Sequence, residues 1–263
     1  MLAVVVSSAG AQTVLTQKDV EARLQGPFVL LRGLNGGDKL DFDAQGNLTG
    51  EPESAPLTLS AIADFKARLT DTELEISGHR AGLEFDPNEK DLPVTVRSER
   101  IGKHDKLVVR IARDPQHPEE LASALNKVFA VGFDDAFADA APDYWQQWLR
   151  RDLHPDAPKG AFAAGKGDVE MKAPGVMPPR LTFDPDPTFS AAARQRKFQG
   201  VEVVGLTVDS HGEPHDVHVV RPLRMGLDEL AVQTVRRYKF VPAIYNGRMV
   251  AVEINIEVNF RIY

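Results

Sequence analysis

The segment from Val250 to Ile262 constrains the fold more than any other part of the chain. Val250, Val252, Ile254, Ile256, Val258, Phe260 and Ile262 alternate with Ala251, Glu253, Asn255, Glu257, Asn259 and Arg261. A period of two puts the apolar side chains on one face of a β-strand and the polar ones on the other. Such a strand covers a core with one face and leaves its other face wet.

The preceding residues supply partners for it. Val201 to Val208 and Asp216 to Val220 are β-branched runs joined by Asp209-Ser-His-Gly212-Glu-Pro214, where Gly212 suits positive φ in a turn, so they predict a β-hairpin. Leu227, Leu230, Ala231, Thr234, Val235 and Tyr238 then recur at helical spacing. Asp228 and Glu229 in the first turn and Arg236, Arg237 and Lys239 in the last complement the helix dipole from a charged, solvated face. Strand, strand, helix and strand predict a small antiparallel sheet with one helix across its apolar face. A sheet of that size has two edges, each an open row of backbone donors and acceptors.

These residues resemble the C-terminal domain of TonB energy-transducer proteins. The resemblance is carried by Gly200-Val-Glu-Val203, Val208-Asp209 with Gly212, Asp216-Val-His-Val219, and Leu227-Asp228 with Ala231 and Val235. It continues through Tyr238-Lys-Phe240-x-Pro242-Ala243, Asn246-Gly247, Val250 and Phe260, with Pro187-x-Phe189-Ser-Ala-Ala-Ala193 in place of the family's short lead-in helix, and so covers about residues 180–263. It implies a periplasmic, non-enzymatic module that captures an extended peptide, the TonB box of an outer-membrane transporter, as an added strand. The last strand would be the docking edge, with Glu253, Asn255, Glu257 and Asn259 on its polar face and Phe189 where the family often has Tyr-Pro. An ExbB–ExbD-type motor is implied as a partner only if a membrane anchor lies upstream. The alternative is a static envelope scaffold that forms homodimers through the same strand edge.

The rest of the chain reads as a separate unit. Residues 180–263 hold 11 Lys/Arg and 10 Asp/Glu out of 31 and 38, which leaves 20 and 28, a net charge of −8, for residues 1–179. No general basic footprint for nucleic acid is present. Residues 12–153 predict a β-rich domain, with strand-like runs at Phe28 to Arg32, Lys39 to Phe42, Leu57 to Ile62, Glu73 to Ile76, Pro93 to Arg97 and Lys106 to Ile111 joined as antiparallel hairpins. Helices follow from about Pro118 and from Pro142 through Trp148, and the Pro-, Gly- and Ala-rich span 154–180 reads as a mobile linker. The fold class is therefore α+β. Residues 1–11 end in Ala9 and Ala11 as at a signal-peptidase site, so the run is either an export signal without its positive n-region or a buried N-terminal strand.

Few residues suggest chemistry. With no cysteine, disulfides, thiolate metal sites and thiol nucleophiles are excluded. His211, His215 and His218 cluster around the hairpin, but on a regular strand 215 and 218 point to opposite faces, so they read as solvated histidines. Tyr144, Trp145 and Trp148 have the spacing of a helix packed on the β domain. Glu119-Glu120 and Asp134-Asp135 read as acids at helix starts, and no catalytic or dinucleotide motif accompanies them. The expectation is a binding protein with no cofactor and no metal.

Overall fold

The computed structural model describes residues 14–51, 53–85, 97–100, 105–158, 161 and 167–262. The first half opens with α1 (Gln17–Arg23), whose start is closed reciprocally: Thr16 Oγ1 accepts from the Asp19 N–H and the Asp19 carboxylate accepts from the Thr16 N–H. There follow β1 (Phe28–Leu31), β2 (Lys39–Phe42), β3 (Ala61–Leu69), β4 (Glu73–Glu84), β5 (Arg97–Arg100) and β6 (Lys106–Ala112). After them come α2 (Glu120–Val128), β7 (Phe129–Ala130), α3 (Asp135–Ala140) and α4 (Asp143–Leu153). The strands form one sheet in the order β2-β6-β4-β3-β1-β7, with β5 beside β4.

Two sequence expectations change here. Leu57 to Leu59 is a 3-10 turn rather than the start of a strand, closed by the Ser60 N–H and hydroxyl on the Leu57 carbonyl, and the strand begins at Ala61. A serine side chain that bonds the local backbone competes with a sheet ladder in this way. The sheet is not built of hairpins alone, because β2 pairs parallel with β6. The run expected at Pro93 to Arg97 lies outside the described residues except for Arg97, where β5 begins.

One face of this sheet buries Leu40, Phe42, Leu74, Ile76, Leu107, Val109 and Ile111 against Val20 of α1 and Leu121, Leu125 and Val128 of α2. A second core starts at Leu30, Leu57, Leu83 and Phe85, runs through Phe137, Trp145 and Trp148, and continues without a break into the C-terminal sheet.

That C-terminal part comprises β8 (Arg180–Phe183), α5 (Ala191–Arg196), β9 (Gly200–Val208), β10 (Pro214–Arg221) and α6 (Asp228–Val235). It ends with β11 (Lys239–Val241), β12 (Ala243–Tyr245), β13 (Arg248–Val250) and β14 (Val252–Phe260). The main sheet has the order β10-β9-β14, all antiparallel, with two ribbons, β11–β8 and β12–β13, beside it. Leu227, Ala231, Thr234, Val235 and Tyr238 are buried as the helical stripe requires. The alternating run is shorter than its pattern: Val250 belongs to the β12–β13 ribbon, and the strand of the main sheet starts at Val252.

The two halves are latched together by α6. Trp145 Nε1 and the Leu57 N–H both donate to Glu229 Oε1 at 3.0 Å, and the Thr58 hydroxyl accepts from the Gly226 N–H at 2.9 Å. Asp228 is fully buried rather than solvated, and its carboxylate accepts from the Leu223 N–H at 2.6 Å. Trp145 and Trp148 therefore pack on Phe85 of the first half and, through α4, against β10 of the second. Trp145→Phe is expected to lose about 1–2 kcal/mol of unfolding free energy, because a buried carboxylate oxygen gives up one of its two donors. Urea denaturation of the full chain measures it.

Candidate functional site

The site is an edge. β9 sits between β10 and β14, and α4 packs against β10, where the Arg151 guanidinium donates to the Val220 carbonyl. That side of the sheet is covered. On the other side β14 pairs only with β9 among the described strands.

Four hydrogen bonds establish which backbone groups of β14 face outward. The Asp209 N–H bonds the Glu213 carbonyl across the hairpin, so odd-numbered residues of β9 point their backbone at β10 and even-numbered ones at β14. Val208 is opposite Val252, so the even-numbered residues of β14 bond β9, as the Ile262 N–H does when it donates back to Gln199 Oε1. Ala251, an odd position, is bonded from outside: the Asp168 N–H donates to its carbonyl at 2.8 Å, and Asp168 Oδ2 accepts from its N–H at 3.0 Å. Glu253, Asn255, Glu257 and Asn259 thus turn their N–H and C=O groups away from β9, and all four side chains are exposed; a Cβ at Gly167 would lie 3.0 Å from the Glu253 nitrogen, so the edge is open from Asn255 onward.

Phe189 lies elsewhere. It is half-buried on the opposite, core-facing side of the sheet, edge-on to Phe260 with ring centroids 5.5 Å apart, just ahead of Ser190, which caps α5 by accepting from the Ala193 N–H. The five candidate residues flank one strand from two faces, and on Phe189's face Ile254 and Ile256 are only half-buried beside the open edge. Sequence reasoning missed Asp168, which terminates the edge. It sits in a Gly- and Ala-rich stretch whose composition carries no sign of a contact with Ala251, more than eighty residues away.

Behind the edge, on the core face, Glu202 of β9 stands opposite Val258 of β14. Both of its carboxylate oxygens are buried without a hydrogen-bond partner among the described residues. Burial, with Asp228 and Glu229 nearby, holds its pKa well above the ordinary glutamate value. Asp228 is pushed up to about 7 by burial and by the charge of Glu229.

The histidines are arranged differently from the regular-strand expectation. Asp216 takes a positive φ of 50°, and β10 bulges between His215 and His218, which pair with Thr207 and Gly205. The extra residue puts 215 and 218 on the same face. His215 is within 3.1 Å of Asp209 Oδ2 and His218 is buried with Nδ1 at 2.6 Å from the Asp216 carbonyl, and no His, Asp and Glu grouping among the described residues is placed to hold a metal ion. Asp134 caps α3 and pairs with both terminal nitrogens of Arg32, while Glu120 accepts from Gln45 at the start of α2. Both acid pairs therefore contribute to helix starts.

Residues 185–262 match the family model described as the Gram-negative bacterial TonB protein C-terminal. No curated protein matches the chain. Among solved structures, the solution NMR structure of the Pseudomonas aeruginosa TonB C-terminal domain is similar at 18% sequence identity, over 36% of this chain and 93% of that one, with a TM-score of 0.26. By its sequence match and its strand, strand, helix, strand order, the segment from 185 to 262 is a TonB-family C-terminal domain.

Proposed function

We propose that this domain captures an extended segment of an envelope partner, the periplasm-facing peptide of an outer-membrane transporter, by adding it as a strand outside β14. The observation that carries the reading is the open edge of β14, whose outward N–H and C=O groups at Asn255, Glu257 and Asn259 are bonded to nothing else among the described residues. Strand addition draws its affinity from such main-chain groups. Within the three-stranded sheet, the packing of α4 against β10 and the Gly167–Asp168 segment beside β14 favour the stretch from Asn255 onward for the guest strand. The reading puts the domain in the periplasm, and no described helix is long and apolar enough to cross a membrane. Energy coupling through a motor is a further step of the same reading and requires an anchor joined to this domain.

Asn255→Pro tests it. The Asn255 N–H points away from β9, so proline removes a donor that the folded sheet does not use, and edge strands tolerate it. Unfolding free energy should fall by no more than about 1–2 kcal/mol. Calorimetric affinity for synthetic peptides spanning the N-terminal segments of the host's outer-membrane transporters should fall at least tenfold, and Asn255→Ala should keep it. Unchanged affinity in the proline variant overturns strand addition. Light scattering of the free protein separates peptide capture from the alternative, in which a second copy occupies the same edge and the chain is a dimer at micromolar concentration.

A further inference from the structure

A second strand of the C-terminal part has a free side, and its sequence is complementary to itself. β8 pairs only with β11 among the described strands, so its outer side is an unpaired row of backbone donors and acceptors. Arg180, Leu181, Thr182 and Phe183 are all exposed, Phe183 at 54%, and so is Asp184, the residue after the strand. Prolines bound the stretch, Pro178-Pro179 before it and Pro185 after it, and proline supplies no donor to a ladder. The run free to pair is therefore Arg180-Leu-Thr-Phe-Asp184. Neither of its charged ends is in an ion pair among the described residues. Lys239, which stands opposite Phe183 on β11, is already held by Glu213.

We infer that β8 takes the β8 of a second copy of this chain, in antiparallel register about a two-fold axis at Thr182. In that register Arg180 stands opposite Asp184 of the second copy, Leu181 opposite its Phe183, and Thr182 opposite its Thr182. The axis repeats each unlike pair, so the pairing holds two ion pairs and two apolar pairs. Opposite charges, apolar side chains and paired threonines each stabilise neighbouring strands, whereas like charges directly opposite destabilise them. Alternation puts Leu181 and Phe183 of both copies on one face and Arg180, Thr182 and Asp184 on the other. A slip of two residues in either direction separates Arg180 from Asp184, so charge fixes the register. Because each copy offers the same patch, the contact closes at a dimer. It is a weak one, with a dissociation constant on the order of 0.1–1 mM, since stable interfaces hold about 20–30 residues a side. β8 and β14 belong to different sheets, so the contact uses none of the groups proposed for peptide capture.

The experiment is sedimentation velocity of the full chain at low ionic strength, from about 10 μM to about 1 mM, where the parent is expected to pass from monomer toward dimer. Arg180→Asp and Asp184→Arg each place like charges opposite one another twice, and each should weaken self-association about tenfold. Both positions are exposed, so both variants should fold as the parent. An equimolar mixture of the two variants should regain the parent's association, because unlike charges meet again between one variant and the other. Asn255→Pro, on the edge of β14, should leave association unchanged. A parent that stays monomeric at about 1 mM overturns the inference. So does a dimer that neither charge variant weakens, or a mixture that does not regain association. A dimer lost in Asn255→Pro moves the second copy to β14 and overturns it as well. None of these results from the β8 variants touches peptide capture, which is read by peptide affinity.

Discussion

Gly212→Ala is expected to lower the unfolding free energy by about 3–4 kcal/mol, the largest effect of any single methyl group added to this domain. Gly212 closes the hairpin between β9 and β10 at a φ of 84°, where its N–H donates to the Asp209 carbonyl at 3.1 Å. Its own carbonyl accepts from the Phe240 N–H at 3.0 Å, so the hairpin tip is docked onto β11 by main-chain contact. A Cβ at this position would overlap the Phe240 carbonyl oxygen, a backbone atom that cannot rotate away. The cost has two parts: the left-handed conformation, about 1–2 kcal/mol for any L-residue, and the separation of the hairpin from β11. Gly247→Ala isolates the first part. Gly247 has a φ of 75° in the β12–β13 turn and open space around it, so only about 1 kcal/mol is expected there. Urea melts of both variants measure the difference, and a Gly212 loss no larger than that of Gly247 would show that the contact relaxes without cost.

Gly212 is legible in the sequence as the turn residue between two β-branched runs, and Asn246-Gly247 is legible as part of the family resemblance. The same holds for the open edge. The polar row Glu253, Asn255, Glu257 and Asn259 is visible as a pattern and is exposed in the structure. What stayed hidden depends on partners distant in sequence. Asp228 has the position of a helix-start acid that should be wet. It is buried because the Leu57–Thr58 turn and Trp145, from the other half of the chain, close over the start of α6. The break at Ala251 is equally invisible, since alternation continues through it and only the Asp168 contact and the β12–β13 pairing end the strand there. The bulge at Asp216 defeats face counting along β10, because one residue in a left-handed conformation inverts every side-chain direction beyond it. Periodicity reports a face. It does not report what covers that face.

The coverage of that face is expected to make the domain pH-sensitive, and Glu202→Gln is the variant that tests it. Glu202 is fully buried, its carboxylate oxygens lack hydrogen-bond partners among the described residues, and it faces Asp228 and Glu229. Burial raises the pKa of all three carboxyls in the folded state above their unfolded values. The folded protein therefore binds protons that the unfolded chain releases, and this contribution is fully present below the ordinary carboxylate range near 4. It is lost as pH rises through the raised values, of which Asp228 marks one at about 7. Parent stability is accordingly expected to fall between pH 5 and pH 8. Glutamine keeps the shape of Glu202 and cannot ionise, so Glu202→Gln should match the parent at pH 5 and exceed it by about 1–3 kcal/mol at pH 8, each pKa unit being worth about 1.4 kcal/mol. Urea melts at the two pH values decide the matter, and parallel pH profiles for parent and variant would show that Glu202 is solvated in the folded state. Since Glu202 pairs with Val258 directly behind the open edge, its ionisation is expected to loosen the strand that the proposed guest would join. Peptide affinity of the parent should then weaken over the same pH range, and the weakening should be smaller in Glu202→Gln.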